Sequence, residues 1–158
     1  MIDSLLQLDY HIFDFINQSL SNSFFDTIMP IIRNKKTWIP FYFILAFFVF
    51  KVFKPKNAFI IIVLGVLCVV LADVVSSHLL KPYFNRIRPC DLEPFAQHIN
   101  LVLARCSGAF SFPSSHATNP FALGSFLALV FYKKLKWLSY LLLFWASLIC
   151  FAQVYVGV

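Results

Sequence analysis

An unbroken apolar run from Ala58 to Ala72, followed by Asp73, Ser76, Ser77 and His78 before Leu80, most narrows the folds open to this chain. In hydrocarbon such a run must satisfy its own N–H and C=O groups, which only a helix or a closed barrel can do. No period-two alternation argues for strands, so the run reads as a membrane helix. Three further stretches behave alike: Trp38 to Phe53, Ala117 to Tyr132 and Trp137 to Val158. Crossing a bilayer takes about 20 apolar residues, with a range of roughly 17–25. Ala58 to Leu80 and Trp137 to Val158 reach that length alone; Trp38 to Phe53 and Ala117 to Tyr132 need their flanks. The expected fold is therefore all-α, an integral membrane helical bundle with about four spanning helices in one domain, 1–158.

Composition agrees with a lipid solvent. The chain is 60% hydrophobic and 13% charged, against about 45–50% and roughly 25% in soluble domains. Twenty phenylalanines face four glycines. The formal charge of +6 lies in short clusters at the ends of apolar runs, as in membrane helices, which argues against nucleic acid.

Residues 1–33 differ. Leu5, Leu6, Leu8, Ile12, Phe13, Phe15 and Ile16 alternate with Asp3, Asp9, His11, Asp14 and Asn17 at roughly helical spacing. This predicts an amphipathic helix lying in the membrane interface. A basic start, a continuous apolar stretch and a small-residue cleavage site are all missing, so the segment is expected to stay attached.

Lys51, Lys54 and Lys56 mark one short loop, and Lys133, Lys134 and Lys136 another. Both would be cytoplasmic by the positive-inside tendency, leaving the long Lys81–Ser115 loop outside with Arg33, Lys35 and Lys36. The expected location is the plasma (inner) membrane, with the site facing outward. Cys90 and Cys106 bracket the outer loop. A disulfide there would stabilise it by about 3 kcal/mol in an oxidising compartment. Cys68 and Cys150 sit in apolar runs as packed hydrophobes. No metal-ligand spacing is present.

The outer loop carries the chemistry. Lys81 and Arg88 offer a point charge and a planar fork for phosphoryl oxygens. Pro89 biases Arg88 toward extended backbone. Ser114 and Ser115 open the third span, where hydroxyls and free N–H groups at a helix N-terminus hold an anion. His116 is placed to protonate a leaving oxygen. Each feature also has a plainer explanation. The cations are headgroup anchors, the serines helix caps, and the histidine a satisfied interfacial polar group. Their convergence on one loop favours an anion site. Asp73 has two readings on its helix: a contact to another helix or to Ser77, or a carboxylate that orients Lys81.

The run Lys81-Pro82-Tyr83-Phe84-Asn85-Arg86-Ile87-Arg88-Pro89 resembles the first signature of the type 2 phosphatidic acid phosphatase superfamily. Pro113-Ser114-Ser115-His116 resembles the second, with serine at 115 where glycine is more usual. The resemblance implies a lipid phosphatase without metal or cofactor. Lys81, Arg88, Ser114 and the Ser115 backbone would bind phosphate, and His116 would be the general acid. It further implies a phosphohistidine formed on a second histidine. The third signature, Ser-Arg followed by a histidine and an aspartate, would place Ala152 and Gln153 at its start and its histidine just past Val158. The chain is therefore expected to be a fragment that does not turn over lipid phosphate alone. The alternative is a pseudoenzyme that binds lipid phosphate without cleaving it. A transporter is disfavoured because paired broken helices are missing. Haloperoxidase chemistry is disfavoured because those family members are soluble.

Overall fold

The computed structural model describes residues 2–91, 95–103, 106 and 110–157. Glu93 and Arg105 of the outer loop lie outside the described residues, as do the side chains of Asp3, Leu5 and Leu6. The described residues are helical apart from turns, loops and one isolated bridge.

The N-terminal segment is two helices rather than one. Helix α1 (Ile2–Asp14) widens into a π turn, Phe15–Ser19, and the chain then breaks. Asn22 restarts it as the N-cap of α2 (Ser23–Arg33), its Oδ1 accepting from Phe25 N at 2.9 Å. Asn17 explains the break. Its buried carboxamide donates to the carbonyls of Asn100 (2.9 Å) and Tyr155 (2.8 Å) and accepts from Asn100 N (2.9 Å). A polar side chain satisfied this way fixes the segment against the outer loop and the end of the last helix. Leu8, Ile12 and Phe15 stay exposed on one face of α1, in keeping with an interfacial helix. Helix α2 is drawn inward instead, with Met29 packed against Ala152, Tyr155 and Val156.

A short 3-10 turn (Lys35–Trp38) leads into α3 (Ile39–Val52). Helix α4 (Pro55–Val74) passes through a π turn, Val75–Leu80, into the short α5 (Lys81–Phe84). Together they form one 30-residue helix, Pro55–Phe84, some four residues beyond the expected end at Leu80. The π turn lies where the Pro82 ring would otherwise press on the carbonyl four residues back. After the loop come α6 (Ser115–Phe131) and α7 (Lys136–Tyr155).

Two of these helices, Pro55–Phe84 and Lys136–Tyr155, are long and apolar enough to cross a membrane. Helices α3 and α6, with 14 and 17 residues, pack beside them. The buried core joins Leu45, Val49, Ala58, Leu127, Phe131, Leu138 and Leu142. Phe59, Val66 and Leu71 of α4, Leu129 of α6 and Phe144 of α7 point outward instead. Apolar side chains on the outside and small or polar groups between helices are the arrangement expected of a bundle solvated by lipid. At one end Lys134 Nζ donates to the Val52 carbonyl at 3.2 Å and lies 4.7 Å from the Phe53 ring centroid. That contact brings the two lysine-bearing turns together, as their shared placement in sequence predicts.

Helices α6 and α7 approach most closely at Gly124. A Cβ there would stand 3.1 Å from the Leu142 carbonyl oxygen and 3.4 Å from Ala146 Cβ. Ser139 Oγ bridges the same pair by donating to the Ala128 carbonyl at 2.7 Å. Gly124→Leu is expected to force these helices apart, costing about 1–3 kcal/mol of overpacking. The check is the thermal melting midpoint in detergent; an unchanged midpoint would show that the interface tolerates separation.

Candidate active site

Backbone geometry first decides where Arg88 goes. Asn85 ends α5 in the left-handed region (φ 46°), its N–H donating to the Lys81 carbonyl at 3.1 Å. Asparagine tolerates that conformation better than most residues. The chain then runs antiparallel to the segment that precedes α6. Ile87 bridges Phe110, and Ser111 N donates to the Arg86 carbonyl at 2.8 Å. Ser111 Oγ adds contacts of 3.2 Å to the Arg86 and Ile87 carbonyls. The Phe84 and Phe112 rings meet edge to face at 5.0 Å. Cys90 and Cys106 form a disulfide with a Cα–Cα distance of 6.1 Å. An ion pair between Arg86 and Asp9 ties α1 to this loop. The two signature segments thus lie side by side.

Ser114 takes the N-cap position of α6, but its hydroxyl makes no capping hydrogen bond. Its carbonyl accepts from Ala117 N (3.0 Å) and Thr118 N (2.9 Å), starting the helix normally. The first N–H groups of α6 have no intrahelical acceptor, so they and the Ser114 hydroxyl are open to an anion. Ser115 behaves differently. Its hydroxyl lies 2.8 Å from Ser77 Oγ and accepts from Ser76 Oγ at 3.3 Å, which leaves its backbone N–H as its contribution to a phosphate cradle. These contacts lock the start of α6 onto the π turn that precedes Lys81. A π turn in an otherwise α-helical run often marks a functional position.

Asp73 makes the interhelical contact, accepting from Asn119 Nδ2 at 2.8 Å, and lies within electrostatic reach of Lys81. The interhelical reading of this carboxylate therefore holds.

His116 precedes the apolar span, which begins at Ala117. Burial first, then the charges of Lys35, Arg33, Arg88 and Lys81, push its pKa down from 6.5 to about 4. The imidazole is therefore neutral near neutral pH in the free site. Burial also lowers Arg88, while Asp91 opposes the shift. Arg33 is lowered by burial and then by Arg88. Two cations of the first signature segment and two from the end of α2 and the turn after it thus bear on one imidazole. A cavity of about 180 Å³ opens at the start of α6, lined by Ser114, Gln153, Arg86, Pro89 and Asp9 among others, with His116, Lys81 and Arg88 outside its wall. A larger apolar groove of about 400 Å³ between α3, α4 and α6 is lined by residues such as Leu45, Val49 and Leu123 and has no cation in its wall.

Lys81, Arg88, Ser114, Ser115 and His116 therefore gather at one end of the bundle. Sequence reasoning missed two participants. Arg33 and Lys35 read there as charges flanking a span, yet both bear on His116. The available signal was Gln153, an uncharged residue where the resemblance calls for arginine.

The sequence pattern of the PAP2 superfamily matches residues 59–158. A lipid A 4'-phosphatase of Bacteroides thetaiotaomicron is 33% identical over 158 residues, covering 99% of this chain and 69% of that protein. A second, from Porphyromonas gingivalis, is 27% identical over 159 residues, covering 99% of this chain and 65% of that protein. The crystal structure of a transmembrane PAP2 type phosphatidylglycerolphosphate phosphatase from Bacillus subtilis superimposes with a TM-score of 0.65. It is 20% identical, and the match covers 98% of this chain and 74% of that one. That likeness establishes the membrane-helical fold.

Proposed function

This chain belongs to the PAP2 superfamily, and from that premise we propose that it binds the phosphate of a membrane lipid between Lys81, Arg88 and the α6 N-terminus. The hydrolysis we propose needs a second histidine as nucleophile, the residue that the superfamily's third signature would supply. The observation that carries this reading is the convergence of four cations on His116 beside an N-terminus whose serine cap is not engaged. Asp73 and Asp91 oppose the charges of Lys81 and Arg88, yet four cations still bear on His116, and a phosphate dianion would stabilise that cluster. The two curated relatives are named lipid A 4'-phosphatase, which makes a lipid A phosphate the substrate to try first.

In this reading the second histidine attacks phosphorus in line. An N–P bond forms as the P–O bond to the lipid breaks, and His116 gives its proton to the departing oxygen. Water then attacks phosphorus and gives a proton to His116 as the N–P bond breaks, which frees the second histidine and releases inorganic phosphate. Lys81, Arg88 and the first α6 N–H groups neutralise the equatorial oxygens, the main burden of phosphoryl transfer. These cations stand where a metal ion would otherwise be needed, so the reaction is proposed to run without one. Asp73 and the Ser76–Ser77–Ser115 cluster hold Lys81 and α6 in register.

The experiment follows phosphate release from vesicles carrying lipid A, phosphatidate or phosphatidylglycerophosphate, in chelator. It compares the 158-residue chain with a chain extended by its native continuation. Turnover is expected only with the continuation. Release by the 158 residues alone would overturn the phosphohistidine route, and activity lost in chelator would overturn metal independence. Phosphate binding without release by the extended chain would identify a non-catalytic binder.

A further inference from the structure

We propose that Arg33, at the end of α2, is a further phosphate-binding residue held in place by Gln153 of α7. The inference rests on the anion site described above and adds to it a residue outside the matched 59–158 region.

Arg33 Nε donates to Gln153 Oε1 at 2.9 Å. Arginine has no acceptor, so this contact fixes which end of the carboxamide faces it. Gln153 is only 4% exposed, and its Nε2 has no hydrogen-bond partner among the described residues. Arg88 Nε is likewise buried and unpartnered. A buried donor left unmet is unfavourable, and a phosphate oxygen is an acceptor that each of these donors could use. Gln153 lines the same cavity as Ser114 and Pro89. A phosphate oxygen reached by Gln153 Nε2, Arg88 and the Nη groups of Arg33 would satisfy these donors together.

Charge leads to the same place. Arg33 has no carboxylate partner among the described residues, where Asp9–Arg86 is the ion pair found. It nevertheless sits close enough to Arg88 for that charge to lower its pKa. Two half-buried guanidiniums side by side are stabilised by an anion between them. The plainer alternative is that the Arg33–Gln153 bond only ties α2 to α7. That alternative leaves Gln153 Nε2 and Arg88 Nε unmet. It also gives no reason for the tie to use a charge facing other charges. Gln153 itself brings no charge to the site; in this arrangement it aims one supplied by α2.

The test titrates inorganic phosphate into the full 158-residue chain in detergent with chelator, by calorimetry, alongside melting curves. Arg33→Gln is expected to weaken binding about 10–100-fold, the range of one hydrogen bond to a charged group. Arg33→Lys keeps the charge, loses the fork and should fall between. Gln153→Glu separates binding from structure. It turns the tie into an ion pair, so melting should hold or rise, yet it neutralises Arg33 and should weaken phosphate at least as much as Arg33→Gln. Arg88→Gln reports on the underlying site. If Arg88→Gln loses binding while Arg33→Gln and Gln153→Glu match the unaltered protein, Arg33 is a structural tie and the inference fails alone. If the unaltered chain does not bind phosphate, or Arg88→Gln binds normally, the anion site fails and the inference falls with it. Should Arg33→Gln not fold, Arg33→Lys and Gln153→Glu decide by the same criteria.

Discussion

His116→Ala is expected to lower turnover of a lipid phosphate by the extended chain about 10²–10⁴-fold, the usual worth of a positioned general acid. Phosphate binding should survive, because the imidazole is neutral in the free site and the cations remain. The pH profile carries the sharper signature. With a pKa of about 4, His116 in the free site loses its proton early as pH rises. A bound dianion offsets the charges of Lys35, Arg33, Arg88 and Lys81 that hold the value down, so the same group keeps its proton to higher pH in the complex. The profile of kcat/KM reports the free protein and that of kcat the complex. The basic limb of kcat should therefore lie about one pH unit or more above that of kcat/KM. Coincident limbs, or a His116→Ala variant with undiminished turnover, would remove His116 from the role of acid. The sign for stability follows from the same depression. The unfolded chain takes up a proton near pH 6.5 and the folded chain only near 4. Stability should thus fall as pH drops through that window, and His116→Ala should flatten the fall.

Arg88→Gln is expected to weaken phosphate binding by at least about 30-fold and up to several thousand-fold, the 2–5 kcal/mol that follows loss of one partner of a buried charge pair. The size of the effect comes from pre-organisation. Arg88 sits between the Ile87–Phe110 bridge and the buried Pro89, next to the Cys90–Cys106 disulfide. Its side chain therefore pays little ordering cost when the anion arrives. Arg88→Lys should recover only part of the affinity, because a point charge cannot reproduce the fork. Isothermal titration with inorganic phosphate is the measurement. A loss under threefold would mean that Arg88 anchors headgroups or the loop and leaves the anion to others.

The apolar runs made the bundle legible, because backbone in hydrocarbon has few solutions and these runs contain few breaks. The two signature segments were legible because each holds its charged and polar groups within nine residues or fewer. The division of residues 1–33 was not. It depends on Asn17 finding the Asn100 and Tyr155 carbonyls, 83 and 138 residues away. The π turn at Val75–Leu80 also escaped, since a shift in hydrogen-bond register leaves no mark on a hydrophobic pattern.

By itself the sequence determined that this protein is a bundle of membrane helices with cations and serines gathered on one loop, because hydropathy and short-range chemistry act within one segment. Only the tertiary structure decided which distant groups complete that loop. Ser115 turns its hydroxyl to Ser76 and Ser77, and Arg33 meets Gln153 across 120 residues of chain. The physical reason is that helix packing sets such meetings. Which face α2 turns toward α7 follows from Met29, Ala152, Tyr155 and Val156 burying one another, a contact that neither helix encodes alone.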